Sequence, residues 1–400
     1  MEKADVVIVG GGITGLSAAV TICSESNLDV VLVEKTGIGS NQTTPAVFSE
    51  AIDEFGLGDS VLQNYTGFVF HSPLGAIARF DYQRVALASL DYQKACTFLY
   101  ERAASDGLEL RMAEAVYWSP AVPDPTQPLV IHLDNGNSIR TEVLVDATGH
   151  VQWAARQLQI RLSCYYSHCF GELLTDCSIE DGSAFRFLGP NSRYGNGGGW
   201  FYPLGEDSAS IGYAIVVQES QIDRTQLMTG YQAARQEFRP YTDWVKEGVR
   251  QRIESGIIPV GRIGRFVADR ILIVGDAAGQ AHPWTVEGCR PGLYNGRLCA
   301  QVVLRAFAQK RFDRSILSSF ERQWARSNRE RFWRTASVAE LTWTQSDQGW
   351  DRYIAAIQCL SPEQHLRALR DHQASAFQQA YAVAGHVRRQ FVKWIRGRRS

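Results

Sequence analysis

The 400-residue sequence predicts an α/β protein in which a Rossmann-type nucleotide-binding domain is interrupted by a sheet-rich segment and followed by a helical region. Residues 4–10 form an apolar run typical of a buried parallel strand, and a glycine-rich turn follows it. A second buried-strand run, 270–275, comes only after a stretch dominated by strand patterns, 160–265. From Gly288 onwards the spacing of apolar residues is mostly helical.

A β-α-β unit begins the chain. A helix is predicted from about Thr14 to Ser24, because apolar residues recur there on one face, and residues 29–35 form a second buried-strand pattern. This order of elements favours a doubly wound parallel sheet. The other predicted elements are helices at 90–106 and 224–239 and strands at 108–118, 129–133, 138–147, 184–188, 199–202 and 208–217.

The turn after the first strand, Gly-Gly-Gly-Ile-Thr-Gly at 10–15, satisfies the pattern G-x-G-x-x-G. Gly10 allows the tight turn, Gly12 lets the backbone approach a diphosphate, and Gly15 permits close packing of helix on strand. Because the turn lies between a strand and a helix, the pattern points to a dinucleotide rather than to a simple glycine turn.

The residues around this turn support the same interpretation. The backbone N–H groups near Ile13 and Thr14 lie at a helix N-terminus, where partial positive charge favours phosphate. Glu34, with Lys35 beside it, ends the second strand and can accept hydrogen bonds from both hydroxyls of a ribose. The sequence therefore predicts a dinucleotide without a 2′-phosphate.

Two downstream segments indicate which dinucleotide binds. Residues 143–149 (VLVDATG) end a strand pattern in Ala-Thr-Gly, and residues 270–279 (RILIVGDAAG) end one in Gly-Asp. With the turn at 10–15, they resemble the FAD-binding signatures of a flavoprotein group that includes aromatic hydroxylases, geranylgeranyl reductases, lycopene cyclases and flavin-dependent halogenases. The resemblance covers the chain from end to end and implies an FAD cofactor.

The resemblance also implies individual contacts. Asp276 would hydrogen-bond the ribityl chain, and residues 283–288 would begin a helix whose N-terminus faces the N1/C2=O edge of the flavin, where reduced flavin is anionic. The residues assigned to FAD by motif and resemblance are Gly10, Gly12, Ile13, Thr14, Gly15, Glu34, Lys35, Val116, Ala147, Thr148, Gly149, Gly275, Asp276, Pro283, Glu287 and Gly288.

The sequence departs from this group at two points. Tyr92 or Gln93 stands where an Arg near a cofactor phosphate is expected, and Val286 stands where a Gly is expected. No second complete G-x-G-x-x-G for a nicotinamide nucleotide is present, and the glycines at 195–199 are interpreted as a turn. The electron donor stays open between NAD(P)H and ferredoxin.

A further segment resembles the substrate strand of geranylgeranyl reductases. It is Gly-Trp-Phe-Tyr-Pro at 199–203, followed by Gly212. Alternation along a strand sends Trp200 and Tyr202 to one face and Phe201 to the other. The candidate substrate residues are Trp200, Tyr202, Pro203 and Gly212.

The segment 290–297 (RPGLYNGR) and the helical C-terminal region also resemble geranylgeranyl reductases. The resemblance implies an FAD-dependent oxidoreductase that reduces C=C bonds of a hydrophobic, isoprenoid-type substrate by hydride transfer from reduced flavin. The second carbon then needs a proton. The candidate donors are His282, Glu287, Tyr202 and Cys289, and the sequence singles out none of them.

Three other functions stay open. An FAD-dependent hydroxylase would consume O2 and NAD(P)H, and a lycopene-cyclase-like enzyme would isomerise its substrate without net redox change. A flavin-bearing partner of a membrane enzyme would show no turnover. Halogenation is disfavoured, because no Lys occurs between 36 and 93, where halogenases carry their catalytic Lys.

The charge balance argues against nucleic acid as a partner. The formal net charge is -1, which leaves no overall basic field. The exception is 386–400, where six Lys or Arg residues alternate with apolar residues and no acid occurs. This segment is interpreted either as a membrane-surface helix or as a solvated tail.

The eight cysteines include no CxxC pair and predict reduced thiols in a cytoplasmic protein. A peripheral position on a membrane stays open. The cluster Cys164, His168, Cys169 and Cys177 is interpreted as core thiols and not as a metal site. The predicted domains are an FAD-binding domain at 1–60, 85–158 and 266–300, a substrate domain at 61–84 and 159–265, and a helical region at 301–400.

Overall fold

The computed structural model describes residues 1–189, 195–218, 222, 224–237, 241–327 and 346–370. The strands are β1 (Glu2–Val9), β2 (Val30–Glu34), β3 (Ala46–Phe48), β4 (Val61–Tyr65), β5 (Gly67–His71), β6 (Ile77–Asp81), β7 (Leu87–Leu90), β8 (Glu109–Met112), β9 (Ala115–Ser119), β10 (Leu129–Leu133), β11 (Ser138–Asp146), β12 (Leu162–Thr175), β13 (Ala184–Leu188), β14 (Gly197–Pro203), β15 (Ala209–Val217), β16 (Val249–Ile263), β17 (Val267–Ala268) and β18 (Ile271–Ile273). The α-helices are α1 (Ile13–Glu25), α2 (Ser49–Phe55), α3 (Tyr92–Ser105), α4 (Trp153–Gln157), α5 (Arg224–Glu237), α6 (Tyr241–Trp244), α7 (Cys289–Ala308), α8 (Arg314–Leu317), α9 (Asp347–Ile357) and α10 (Pro362–Arg370).

The first sheet contains the N-terminal β-α-β unit. Its main path runs β17-β18-β11-β1-β2-β8, and β9 and β10 extend it beside β11. The pairs β1–β11, β1–β2, β11–β18 and β2–β8 are all parallel. Val6, Val7 and Ile8 of β1 are fully buried, as expected for a parallel strand covered on both faces. The predicted α/β fold is confirmed, and the carboxyl ends of β1, β2 and β11 lie along one edge.

The second sheet has seven strands in the order β16-β12-β15-β14-β13-β5-β6. All its pairs are antiparallel except β13–β5, which is parallel. The long pair β12–β16 runs from Leu162 opposite Ile263 to Thr175 opposite Val249. A small third sheet, β3-β7-β4, accompanies the two larger ones.

Several predicted elements differ from the observed ones. The predicted strand 108–118 is two strands, β8 and β9. The extended conformation is interrupted at 113–114, and β9 pairs with β10 instead of continuing beside β2. The predicted turn at 195–199 is partly strand, since β14 begins at Gly197. The five strands between 46 and 90 were not predicted from the sequence, and the domain bounds stay a prediction.

The helices close the molecule around these sheets. Helix α7 packs tightly on α1, where a Cβ on Gly296 would lie 2.4 Å from the Thr14 carbonyl oxygen. Helices α9 and α10 cover the second sheet with a buried apolar face that includes Trp350, Ile354 and Leu366. Among the residues described, no helix is both long and apolar enough to cross a membrane. The basic segment 386–400 lies outside the described residues.

Candidate functional site

A cavity of about 860 Å³ extends from the carboxyl edge of the first sheet to one face of the second. One end is lined by the glycine turn and by the residues that follow β2 and β11, and the other end is lined by aromatic side chains of β5, β13 and β14. Ligand pockets of this size commonly bind cofactors and small molecules.

The glycines of the turn have different tasks. Gly10 has φ +110, and a Cβ there would lie 2.4 Å from the carbonyl oxygen of Ala147. A Cβ on Gly15 would lie 2.1 Å from the Gly10 carbonyl oxygen, so both glycines are required by the packing of the chain on itself. Gly10 and Gly12 both line the cavity, but at Gly12 the only neighbour of the Cβ position within 4 Å is the Tyr92 hydroxyl, at 3.1 Å. A side chain at Gly12 would therefore project towards the cavity and this hydroxyl.

Glu34 is held in place at the end of β2. Its Oε2 accepts a hydrogen bond from the Gly11 amide at 2.7 Å, and its Oε1 accepts one from the Thr36 amide at 2.7 Å. A carboxylate oxygen has lone pairs for a second bond, so Glu34 can still accept from a ligand hydroxyl. Lys35 beside it pairs with Glu114 at 3.5 Å.

Tyr92 stands at the start of α3 and reaches the start of α1. The Ile13 amide donates to the Tyr92 hydroxyl at 3.2 Å. Burial raises the pKa of Tyr92 well above its usual range, and the neighbouring Cys96 and Cys289 thiols act in the same direction. The phenol is therefore neutral and carries its proton at the edge of the cavity.

Asp276 lies on a 3₁₀ turn, Gly275–Ala278, directly after β18. Its carboxyl lines the cavity and makes no hydrogen bond or ion pair with any described residue. Burial raises the pKa of Asp276 to about 7. A buried acceptor without a partner costs free energy, and a ligand hydroxyl would satisfy it. Position 275 requires glycine for two reasons: its φ is +69, and a Cβ there would lie 2.7 Å from Thr14 Oγ1.

The loop before α7 is closed by its own hydrogen bonds. The His282 amide donates to the Glu287 carbonyl at 2.8 Å, and the Val286 amide donates to the His282 carbonyl at 2.9 Å. The imidazole Nδ1 accepts from the amides of Trp284 and Thr285, at 3.2 Å and 3.1 Å. His282 therefore organises the loop and does not line the cavity. Val286 has φ 56, an uncommon conformation for a β-branched residue.

Two other proton-donor candidates lie at the start of α7. Glu287 pairs with Arg290 at 2.9 Å, and burial raises the pKa of this carboxyl although Arg290 opposes the shift. Burial likewise raises the pKa of Cys289 well above its usual range. Both side chains line the cavity.

The aromatic end follows the predicted alternation of β14. Trp200 and Tyr202 line the cavity, whereas Phe201 faces away and stacks on Tyr241 with ring centroids 4.9 Å apart. The Tyr202 ring stacks on Phe185 at 4.5 Å. Burial raises the pKa of Tyr202 well above its usual range, so this phenol also stays protonated.

A hydrogen-bond network holds Trp200 from behind. Its Nε1 donates to Ser210 Oγ at 3.1 Å, and Ser210 donates to Glu254 Oε2 at 2.6 Å. Glu254 is only 4% exposed, and its Oε1 accepts from Thr44 at 2.5 Å and from Arg252 at 2.9 Å. Through this network Glu254, a buried carboxylate that lines the cavity, is linked to the Trp200 indole.

Most of the residues that the sequence singled out meet at this cavity. Those that line it are Gly10, Gly12, Ile13, Thr14, Glu34, Lys35, Ala147, Thr148, Gly149, Asp276, Glu287, Gly288, Trp200, Tyr202 and Cys289. Those that do not are Gly15, Val116, Gly275, Pro283, Pro203, Gly212 and His282.

Local geometry explains the second group. Val116 is 49% exposed on β9, where the break in the strand leaves Ala115 facing the cavity instead. The carbonyl of Pro203 accepts from the buried Tyr65 hydroxyl at 2.7 Å. Gly212 is covered by the Trp200 ring. Among the described residues, no group of three or more His, Cys, Asp and Glu side chains is placed to hold a metal ion. Cys164 and Cys177 pack into two different cores.

Sequence reasoning missed the remaining wall of the aromatic end. Phe185 and Phe187 of β13 lie opposite Phe68 and Phe70 of the parallel strand β5. The alternation Phe-x-Phe in both segments, 68–70 and 185–187, is a signal that could have revealed a shared face. Glu254 gives no such local signal, because its position depends on the long-range pairing of β12 with β16.

Comparisons with known proteins agree with this geometry. Residues 5–46 match the family model described as FAD dependent oxidoreductase. A digeranylgeranylglycerophospholipid reductase from Methanosphaerula palustris is 25% identical over 347 residues, which are 80% of this chain and 81% of the relative. The protein is an FAD-dependent oxidoreductase, and the predicted FAD cofactor is confirmed. Its sequence is similar to those of digeranylgeranylglycerophospholipid reductases.

Solved structures of other proteins show the same fold. A geranylgeranyl bacteriochlorophyll reductase-like protein from Thermoplasma acidophilum has a TM-score of 0.81 at 18% identity, covering 96% of each chain. A halogenase mutant in complex with FAD has a TM-score of 0.66 at 17% identity, covering 98% of this chain and 92% of that one.

The residues of the cavity fit FAD. The glycine turn lines the cavity, and no backbone lies close to the Cβ position of Gly12; Glu34 retains acceptor capacity for a ribose hydroxyl. Asp276 offers an acceptor that no described residue satisfies. Because α7 begins at Cys289, directly beyond the loop 282–288, its first amides supply partial positive charge to this part of the cavity.

Proposed function

We propose that this oxidoreductase reduces C=C bonds of a hydrophobic, isoprenoid-type substrate at the aromatic end of the cavity. The observation that carries the proposal is that one continuous cavity joins the glycine turn to a chamber walled by aromatic rings. Bound FAD supplies two-electron redox chemistry at the junction of the two ends. The names of the related reductases support an isoprenoid lipid as substrate.

Each part of FAD would be held by different residues of this chain. The start of α1 beside Gly12 would hold the diphosphate, and Glu34 would accept from the adenosine ribose. Asp276 would accept from the ribityl chain, and the loop before Gly288 would hold the ring system. This placement is supported by the acceptors and amides that the cavity presents at those points.

The aromatic chamber binds and shields the substrate. Ring faces of Phe68, Phe185 and Trp200 present apolar surface, which favours an alkene chain over water. Helix α10 contributes Leu369 to the same wall. A dry chamber of this kind also protects a reactive centre from solvent.

Alkene reduction requires a proton as well as an electron pair, and the candidates for the donor differ in their surroundings. His282 is occupied by its loop, and Glu287 is engaged by Arg290. Tyr202 and Cys289 line the cavity, and burial holds the pKa of both well above the usual range. These two remain the candidates, since each keeps its proton and lines the cavity.

The test uses the flavin-loaded protein. We expect that anaerobic reduction with dithionite, followed by a prenyl diphosphate or a prenylated glycerophospholipid, reoxidises the flavin and yields a product heavier by two hydrogen atoms. Protein stripped of FAD serves as the control. A product of unchanged mass would indicate a cyclase, and a product formed only with O2 would indicate a hydroxylase; either result overturns the proposal. The variants Tyr202→Phe and Cys289→Ala then separate the two donor candidates.

The basic segment 386–400 is proposed to bring the enzyme to a lipid surface. Its six cations would each gain roughly 1 kcal/mol near an anionic membrane. Deleting the segment should weaken binding to vesicles that contain anionic lipid, and more so at low salt. Equal binding of the full and shortened chains would assign the segment to solvent.

A further inference from the structure

The phosphate end of the cavity is poor in cations. Among the described residues that line the cavity, Lys35 is the only Lys or Arg. Its ammonium group pairs with Glu114 at 3.5 Å, beside the adenosine end of the proposed site. The first turn of α3, where the sequence resemblance leads one to expect an Arg, begins instead with Tyr92. A diphosphate placed at Gly12 therefore meets no cationic side chain of the described chain.

The hydrogen bond that the Tyr92 hydroxyl accepts determines where its proton can point. Its oxygen takes the hydrogen bond of the Ile13 amide at 3.2 Å, and it lies 3.1 Å from the Cβ position of Gly12. Since the oxygen serves as acceptor towards α1, the hydroxyl proton is left to donate elsewhere. Cys96, one turn further along α3, is the neighbouring protein acceptor. Sulfur is a weak acceptor, and a phosphate oxygen replaces it readily.

We propose that the Tyr92 hydroxyl donates a hydrogen bond to the diphosphate of FAD, as a neutral donor where a cation is expected. The inference rests on the placement of FAD given under the proposed function. Tyr92 then joins two partners: it accepts from the first amide of α1 and donates to the anion that the same helix end attracts. Burial raises the pKa of Tyr92 well above its usual range, so the proton stays on the oxygen near neutral pH.

A neutral donor has a consequence that can be measured. Attraction between a cation and a phosphate is screened by salt, whereas a hydrogen bond from a neutral phenol and from backbone amides is much less sensitive. FAD affinity of this protein should therefore vary little with ionic strength. An arginine at the same position would add a screened component.

The first experiment measures FAD affinity by fluorescence titration of flavin-stripped protein. Tyr92→Phe keeps the ring and removes the hydroxyl, and a hydrogen bond to a charged group is worth about 1.5 kcal/mol or more, so affinity should fall about tenfold or further. The control is Tyr117→Phe, which removes the hydroxyl of a 51% exposed tyrosine that does not line the cavity. Wild-type affinity in Tyr92→Phe overturns the inference.

Two further measurements exclude a merely structural role. The ³¹P resonances of bound FAD should shift in Tyr92→Phe and stay in place in Tyr117→Phe. Tyr92→Arg should make FAD affinity fall more steeply with salt than in the wild type. Unchanged ³¹P signals, or a wild-type affinity already steep in salt, contradict the inference.

The inference and the placement of FAD can fail separately. If Asp276→Ala weakens FAD binding and Tyr92→Phe does not, the placement stands and the role of Tyr92 is wrong. If neither variant changes FAD affinity, the placement itself is wrong.

Discussion

The indole ring of Trp200 lies over the backbone of Gly212, with Cζ2 2.1 Å from the place that a Cβ would take. The same ring atom lies 2.8 Å from the Cβ position of Gly171. Trp200 therefore fills the space that side chains at positions 171 and 212, on the neighbouring strands β12 and β15, would otherwise occupy. Gly212 does not line the cavity itself; it affects the chamber by leaving room for the Trp200 ring, which does line it.

Gly212→Ala should displace the Trp200 ring into the chamber. The methyl group cannot fit beside the ring, so either the ring moves or the strands separate. We expect weaker substrate binding, a changed tryptophan fluorescence spectrum and a lower thermal midpoint, with FAD affinity unchanged. Gly58→Ala is the control, since no atom lies within 4 Å of its Cβ position. Wild-type fluorescence and substrate affinity in Gly212→Ala would contradict the assignment.

Asp276→Ala should abolish FAD retention, whereas Asp276→Asn should retain part of it, because an amide oxygen still accepts a hydrogen bond. The measurement is the ratio of flavin absorbance to protein absorbance after gel filtration. Equal ratios in the wild type and Asp276→Ala would defeat the proposed contact.

The pH dependence of the flavin-free protein tests the same carboxyl. Burial raises the pKa of Asp276 from 3.8 to about 7, so stability falls as the pH rises between these values and the full cost remains above about 7. Flavin-free Asp276→Asn should therefore have a higher thermal midpoint than the flavin-free wild type at about pH 8, and the two should converge at about pH 4. Parallel curves would show that the carboxyl is not buried as described.

Val286 offers a test of backbone strain. At φ 56 a Cβ is unfavourable, so the usual order of stability, in which an alanine variant is more stable than a glycine variant, should reverse. Val286→Gly should be more stable than Val286→Ala by roughly 1 kcal/mol, as measured by urea denaturation. Val249, an exposed strand residue without positive φ, provides the matched pair, and there the alanine variant should be the more stable. The same order at both positions would contradict the observed conformation.

His365 links α10 to the second sheet and should make stability sensitive to acid. Its Nδ1 contacts the Tyr82 hydroxyl at 2.8 Å, its ring stacks on Phe80 at 3.7 Å, and burial lowers its pKa from 6.5 to about 3. The folded protein thus holds His365 neutral, and the stability it contributes above pH 6.5 is lost as the pH falls towards 3. The thermal midpoint of the wild type should drop further between about pH 7 and pH 5 than that of His365→Phe. Tyr82→Phe, which leaves the imidazole in place, should keep the wild-type pH dependence.

The nucleotide end of the cavity could be predicted because its signals are local. Gly10, Gly15 and Glu34 lie within one β-α-β unit, so their spacing in sequence fixes their spacing in the fold. The predicted helix from about Thr14 to Ser24 corresponds to α1 for the same reason.

The substrate end could be predicted only in part. Trp200 and Tyr202 follow from alternation within one strand, but their neighbours come from β5, β13 and β16, which are far apart in sequence. Val116 was predicted to bind FAD, but its side chain is exposed on β9, because the break between β8 and β9 changes which side chains face inwards. No spacing in the sequence reveals such a break.

The continuity of the cavity couples its two ligands. In the proposed arrangement the flavin ring forms one wall of the substrate chamber, so the two ligands would be in contact. Each ligand then increases the affinity of the protein for the other by the same factor, since the coupling of two binding free energies is reciprocal. A substrate analogue that cannot react should therefore slow the release of FAD. FAD should dissociate faster from the enzyme without substrate than from the enzyme with substrate bound.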